Sequence, residues 1–85
     1  MQLFWTDRFT KDFKRLPRSI QDKLPTVLER FVGHPRHPSL HTKKMEGGAE
    51  IWELRVTDSY RITFQWVREG VLLRRIGTHD VLRQP

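Results

Sequence analysis

Trp52-Glu53-Leu54-Arg55-Val56 and Tyr60-Arg61-Ile62-Thr63-Phe64-Gln65-Trp66 are the two stretches that decide the fold. Large apolar residues alternate with polar ones in both, and this period of two predicts two half-buried strands. Thr57-Asp58-Ser59 predicts the turn between them, and Glu69-Gly70 predicts the turn before a third strand from Val71 to about Gly77. The C-terminal half is therefore predicted to be an antiparallel meander.

The N-terminal segment predicts a short strand followed by a helix. Gln2 to Trp5 is short and apolar, and Thr6 or Asp7 stands at the N-cap position. Apolar residues then recur at spacings of four and three, and Pro17 ends the pattern. These apolar positions are Phe9, Phe13 and Leu16.

A second helix is predicted from about Arg18 to Val32. Its apolar stripe is Ile20, Leu24, Val27 or Leu28, and Phe31, and Gly33 with Pro35 supplies the stop. Pro25 lies inside this stripe, so we expect it to kink the helix or to divide it near Leu24.

The segment from His34 to Glu50, which contains the Gly47-Gly48 pair, predicts a long loop with little regular structure. The element order is then β-α-α-β-β-β. We predict an α+β fold in which a helical hairpin packs on one face of an antiparallel sheet and leaves the other face open. A chain of 85 residues encloses one hydrophobic core, so residues 1–85 are expected to form a single domain.

The composition narrows the choice of partners. The formal net charge of +6 favours a polyanion, which leaves nucleic acid, an acidic protein and an anionic membrane surface as alternatives. The absence of cysteine excludes disulfides and thiolate chemistry and fits a reducing cytoplasm. No apolar run approaches the roughly 20 residues that span a bilayer, so we expect a soluble cytoplasmic protein without a signal peptide.

Basic side chains on the predicted open face form the first candidate site. Arg55 and Arg61 alternate out of step with their apolar neighbours, so both are expected to project from that face and to converge on one anionic group. Lys43 and Lys44 arrive just before the sheet and would complete a basic rim. Ordinary solvated side chains remain the alternative reading for all four.

Histidines supply the second set of candidates. His79 leaves the sheet at its rim, where an imidazole can exchange protons near neutral pH, and the carboxylate of Asp80 beside it would support an imidazolium. His34, His37 and His41 are spaced H-x2-H-x3-H, but the neighbouring prolines hold the segment extended and no carboxylate or thiol completes a tetrahedron. We therefore expect no metal site.

Several segments, in this order, resemble the RelE/ParE superfamily of bacterial type II toxins. They are His37-Pro38-Ser39-Leu40, Lys43-Lys44-Met45-Glu46-Gly47, Trp52 to Val56, Tyr60 to Phe64 and Arg75 to Asp80, with Phe4-Trp5-Thr6, Phe9 and Asp12-Phe13 at the start. Gly77-Thr78-His79 is most similar to the YafQ-like branch. The resemblance covers nearly the whole chain, and it implies a helical hairpin on a sheet and metal-independent cleavage of mRNA on the ribosome.

The resemblance also implies roles for individual residues. Lys44 matches a slot that often holds a catalytic or phosphate-binding base, and Lys43 matches a position where some members have histidine. Arg55 and Arg61 match sheet positions that hold the scissile phosphate, and His79 matches a position where members carry a catalytic histidine or arginine. We expect these five residues to be catalytic. We expect RNA to be bound by Lys43, Lys44, Arg55, Arg61, Arg75 and His41.

The resemblance implies a toxin that acts as an endoribonuclease, by attack of a 2′-hydroxyl on the scissile phosphate, with no cofactor and no membrane. Its partners would be mRNA on the ribosome and a cognate acidic antitoxin through which it oligomerises. The alternatives are a ParE-like inhibitor of DNA gyrase and a toxin-fold binding protein with weakened catalysis, because Val81 to Pro85 offer no aromatic ring to stack on a base. A basic DNA-binding module ranks last, because the second helix is mixed in charge and interrupted by Pro25.

Overall fold

A computed structural model describes residues 1–47 and 49–85, and the described residues form one five-stranded sheet and three α-helices. The strands are β1 (Gln2–Trp5), β2 (Lys43–Lys44), β3 (Trp52–Arg55), β4 (Arg61–Val67) and β5 (Gly70–Gly77). The helices are α1 (Asp7–Lys14), α2 (Arg18–Gly33) and α3 (Asp80–Arg83), and Pro38–Leu40 forms a short 3₁₀ helix.

The sheet has the order β1-β5-β4-β3-β2. The predicted meander is confirmed, since β3, β4 and β5 pair antiparallel in sequence order. The sheet is mixed rather than wholly antiparallel, because β1 pairs parallel with β5 in the register Gln2↔Gly70 to Trp5↔Leu73. The helical hairpin after β1 carries the chain across the sheet to the opposite edge, where β2 lies. A long crossover of this kind allows β1 to pair parallel with β5.

Both predicted N-terminal helices are present. Thr6 caps α1, since its side chain accepts a hydrogen bond from the backbone N–H of Phe9 at 3.0 Å. Helix α2 continues undivided through Pro25, so the expected division near Leu24 is wrong. Pro25 is exposed, whereas Leu24 and Val27 on either side of it are buried in the core. The free energy gained by burying this apolar stripe offsets the loss of the backbone hydrogen bond that Pro25 cannot donate.

The core lies between the helical hairpin and one face of the sheet. Phe31 from α2 packs edge-to-face on Phe64 from β4, with ring centroids 5.0 Å apart and both side chains fully buried. The remaining buried members of this cluster are Phe9, Leu24, Val27, Leu40, Leu54, Ile62, Val71, Leu73 and Ile76. The apolar positions that alternate along β3 and β4 thus face the helices, as their parity predicts.

The opposite face of the sheet is partly covered, which corrects the expectation of an open face. Helix α3 and the residues after it lie against β4 and β5. Val81 is buried there, and the Thr63 hydroxyl, also fully buried, donates to the carbonyl of Pro85 at 3.2 Å. Removal of the apolar side chain of Val81 from water stabilises the short C-terminal segment on this face of the sheet.

The segment expected to be a long loop contains the 3₁₀ helix and the short edge strand β2. Leu40, which is 1% exposed, ties it to the core. Of the Gly47-Gly48 pair in this segment, Gly48 lies outside the described residues. Among the described residues, no helix is both long and apolar enough to cross a bilayer.

Candidate functional site

Arg55 and Arg61 lie directly opposite each other on β3 and β4. Directly opposed residues share a face of the sheet, so both follow the parity predicted from their apolar neighbours. Like charges at such positions repel unless other groups separate them. In this structure the two guanidinium groups turn to different partners.

Arg55 contacts an imidazole that the 3₁₀ helix presents. His41 follows this helix with a left-handed backbone (φ 46°), and its Nε2 lies 3.2 Å from Nη1 of Arg55. A guanidinium has only donors, so this contact requires Nε2 to accept through its lone pair. A basic nitrogen thus lies beside a permanent cation.

The turn between β3 and β4 holds both arginines. Nη2 of Arg55 pairs with the carboxylate of Asp58, whose side chain is 85% exposed. Nη1 of Arg61 donates to the carbonyls of Thr57 at 2.6 Å, Asp58 at 3.0 Å and Tyr60 at 3.1 Å. The turn therefore fixes one nitrogen of Arg61, while Arg55 is held by a surface ion pair that solvent weakens.

A cleft of about 550 Å³ opens beside Arg55 and His41. It separates this end of the sheet from α2, and Lys23 and Arg30 line its far wall. Arg30 also donates to the Ser39 hydroxyl at 3.2 Å. Four basic or imidazole side chains from three different elements thus border one concave surface, which suits a phosphate group.

The lysine pair lies farther along the sheet edge. In β2, Lys43 is opposite Glu53 and Lys44 is opposite Trp52, and both lysines are exposed. Nζ of Lys44 pairs with Glu50 at 3.0 Å. Of the two, Lys43 lies on the same face of the sheet as Arg55, and Lys44 lies on the other.

His79 lies at the start of α3, where β5 has just ended. Gly77 is opposite Arg61 in the register, so His79 leaves the sheet at the end where Arg61 enters it. The side chain is exposed, and it makes no capping hydrogen bond to α3. His79 shares this end of the sheet with Arg55 and Arg61, but among the described residues no hydrogen bond joins it to them.

Arg75 serves the fold instead of the cleft. Its Nε and Nη2 donate to the two carboxylate oxygens of Asp12 at 3.0 and 2.9 Å, and both side chains are at most 15% exposed. Donating hydrogen bonds to the Asp12 carboxylate raises the pKa of the Arg75 guanidinium, against a smaller opposing effect of burial. With its remaining Nη1 on the carbonyl of Gln84, Arg75 has little capacity left for a ligand.

Sequence reasoning missed the groups that α2 and the turn contribute. Lys23 and Arg30 lie on the polar side of an amphipathic helix, where charged residues are ordinary. Asp58 stands in a turn, where aspartate is favoured for backbone reasons alone. The sequence carries no signal that would have assigned these residues to the cleft.

Solved structures share this architecture. YafQ from E. coli strain BL21(DE3) matches with a TM-score of 0.78 and 14% identity over 95% of this chain and 96% of that chain. A chain of the RelB-RelE antitoxin-toxin complex from Methanococcus jannaschii matches with a TM-score of 0.75 and 20% identity over 95% of both chains. The YoeB/ParE toxin from Agrobacterium tumefaciens matches with a TM-score of 0.75 and 19% identity over 93% of this chain and 99% of that chain.

These likenesses show the fold: the chain folds as these solved toxin structures do, in agreement with the predicted helical hairpin on a sheet. A comparison with curated protein sequences finds no significant match. The family described as "Phage derived protein Gp49-like (DUF891)" matches residues 11–74. The chain belongs to this family.

Proposed function

We propose that the protein is the toxin of a type II toxin-antitoxin system and that it cleaves mRNA at the ribosome, in the cytoplasm. The fold shared with YafQ and with the RelB-RelE complex supports the toxin role. The net charge of +6 supports a polyanionic substrate.

Cleavage by a neighbouring 2′-hydroxyl needs three things. The hydroxyl loses its proton, the charge on the phosphoryl oxygens is stabilised, and the departing 5′-oxygen gains a proton. In the proposal, Arg55 and Arg61 bind the phosphoryl oxygens, because a planar guanidinium stays charged and can contact two oxygens at once. His79 and His41 transfer the protons, and Lys43, on the same face of the sheet as Arg55, adds positive charge.

The contact between His41 and Arg55 carries this proposal. It places an imidazole, a group that can transfer protons, 3.2 Å from a group that can bind phosphate. The Asp58 carboxylate occupies another nitrogen of the same guanidinium. Because an ion pair with so exposed a partner contributes at most about 1 kcal/mol, a phosphate dianion or diester can displace it.

A cell-free translation reaction followed by primer extension tests the proposal. Adding the protein should cut a reporter message at defined codon positions, and Arg55→Ala should abolish the cuts while leaving the melting temperature close to that of the wild type. An intact message at protein concentrations that stop translation would contradict it.

The alternative is a gyrase inhibitor, and one observation favours it. The C-terminal residues pack back onto the sheet through Val81 and Pro85 and offer no aromatic ring to a nucleobase. A supercoiling reaction with purified gyrase distinguishes the two functions, because only an inhibitor of this kind would trap cleaved DNA.

The proposal includes a cognate antitoxin that is acidic and partly disordered. Such a segment can fold as it wraps a positive surface, and complexes of the RelB-RelE type supply the precedent for a partner. A small acidic reading frame next to the gene is the observation that would support it most cheaply. Binding through opposite charges should weaken as salt is raised.

A further inference from the structure

A second cleft lies beside the segment that follows α2, and the function proposed above does not use its aromatic part. Its volume is about 550 Å³, and it lies between the His34–Thr42 segment and the sheet. Trp52 and Trp66 form one wall, and His34, Arg36, His37 and His41 lie along the other. The cleft therefore combines apolar indole surface with basic and imidazole groups.

Trp66 is exposed and yet firmly held. It is 43% exposed, although it comes from the strand that forms the centre of the sheet. Its ring packs on three others: Phe64 at 5.5 Å and 87°, Phe31 at 5.8 Å and 34°, and Trp52 at 6.3 Å and 79°. An indole ring that its neighbours already hold in place loses little conformational entropy when a planar ligand stacks on its exposed side.

The polar wall of the cleft suits phosphate and base edges. Arg36 is exposed, and no carboxylate among the described residues lines the cleft. Nδ1 of His37 accepts from the backbone N–H of Ser39 at 3.2 Å, so its Nε2 carries the proton and is a donor. Among the described residues, no acidic side chain on this wall would repel a polyanion.

The two clefts share one lining residue, His41. Its side chain lines the aromatic cleft and also the cleft that contains Arg55. A strand whose phosphate lies at Arg55 therefore passes His41 on its way to Trp66. One flexible single strand can occupy both surfaces, whereas a duplex would keep its bases stacked inside and away from the indole.

We propose that the aromatic cleft binds an unstacked base of single-stranded RNA by stacking on Trp66, with Arg36 on the adjoining phosphate. The proposal rests on the ribonuclease function proposed above and names where its substrate is held. The indole would supply the stacking surface that residues 81–85 lack.

The test uses a short single-stranded 2′-O-methyl RNA, which cannot be cleaved because its 2′-oxygens are blocked. Binding is followed by anisotropy of a fluorescent label on the RNA and by quenching of the protein's tryptophan emission in a Trp5→Phe background. We expect saturable quenching. Trp66→Ala should weaken binding roughly 5- to 100-fold, whereas Trp66→Phe should retain most of it.

Two further variants keep the result independent of folding. Arg36→Gln changes an exposed side chain and should weaken binding several-fold. Trp5→Ala is the matched control, because Trp5 is 62% exposed but lines a different groove, with Leu3 and Phe9. It should leave RNA affinity unchanged.

The outcomes separate this inference from the ribonuclease proposal. RNA affinity that Trp66→Ala leaves unchanged overturns the inference, even if messages are still cut in the translation reaction. Trp66-dependent binding supports it, even if no message is cut. A Trp66→Ala variant that loses affinity for the acidic antitoxin and not for RNA would make the cleft a protein interface and overturn the inference.

Discussion

The guanidinium of Arg55 lies between the imidazole of His41 and the carboxylate of Asp58. Each partner comes from a different loop, so the local sequence around Arg55 does not determine the cluster. His41 reaches it because the 3₁₀ helix ends in a left-handed residue that redirects the chain toward β2. The backbone at a single residue therefore decides whether the imidazole meets the arginine.

Replacing His79 tests proton transfer at the sheet end. His79→Ala should reduce mRNA cleavage about 10²- to 10⁴-fold, the usual contribution of a general acid or base. Because the side chain is exposed, the midpoint of thermal unfolding should change little. Primer extension measures the cleavage, and circular dichroism measures the unfolding. Cleavage at the wild-type rate would remove His79 from the mechanism.

At the level of single residues, sequence predicted positions better than contacts. Parity alone placed Arg55 and Arg61 on one face, because side chains alternate along strands. It could not show that Arg75 is bound by Asp12, 63 residues away in the chain, since long-range partners leave no periodic pattern. The catalytic roles of Lys43, Lys44, Arg55, Arg61 and His79 remain predictions.

Helix α1 and strand β5 are joined by one carboxylate. Asp12 accepts from the Arg75 side chain and also from the backbone N–H of Ile76 at 3.2 Å. Strand β1 pairs with β5 only as far as Leu73, so beyond it a side chain replaces the missing strand. The stabilisation from Arg75 is constant through neutral pH. Its raised pKa means that the contribution is complete below the unfolded value and is lost only as strongly alkaline pH is reached.

Asp12→Ala should lower the free energy of unfolding by about 3 kcal/mol, because it leaves a buried guanidinium and a backbone N–H without their acceptor. Urea denaturation measures the change. Asp22→Ala is the matched control: Asp22 pairs with Arg18 at the helix surface, where the side chains are 65% and 84% exposed. This control should change stability by less than about 0.5 kcal/mol. Equal losses in the two variants would contradict the role given to Asp12.

Gly70 allows β1 to approach β5. A Cβ built on Gly70 would overlap the carbonyl oxygen of Gln2 and lie 2.6 Å from its backbone nitrogen. Gly70→Ala should therefore destabilise the protein by about 2 kcal/mol or more, through displacement of the edge strand. Gly33→Ala, which meets nothing within 4 Å, should change stability in the other direction by about 0.5 kcal/mol. Thermal unfolding of both variants gives the comparison.

Among the elements, those with strong periodicity were predicted well, and those fixed by distant partners were not. Alternation marked β3 and β4, and the spacing of Phe9 and Phe13 marked α1, because each pattern is local. The two-residue strand β2 is too short to carry a pattern. Helix α3 exists because Val81 finds a buried position on the sheet, and the continuity of α2 at Pro25 likewise depends on tertiary packing.

The charge of the whole molecule governs how it meets its partners. Sixteen Lys and Arg residues against ten Asp and Glu residues give +6. Opposite charge accelerates encounter with RNA or with an acidic protein but distinguishes poorly between them. Selection between partners therefore depends on shape at the clefts.

Salt dependence tests this electrostatic contribution. If Arg55, Arg61 and Lys43 contact three phosphates, the logarithm of RNA affinity should fall with a slope of about −2 against the logarithm of salt concentration. Lys43→Gln should reduce the slope by about 0.7, and Arg68→Gln, which alters an exposed residue outside both clefts, should leave it unchanged. Anisotropy titrations at several salt concentrations measure it. A flat dependence would mean that the arginines do not bind phosphate.

The order of the strands determines when the sheet can be completed during synthesis. Strand β5 is synthesised after every other strand, yet it lies between β1 and β4. A nascent chain that lacks β5 leaves its first strand without a neighbour and the end of the sheet beside Arg61 without Gly77. The sheet therefore stays incomplete during synthesis until β5 has been made and can insert between β1 and β4.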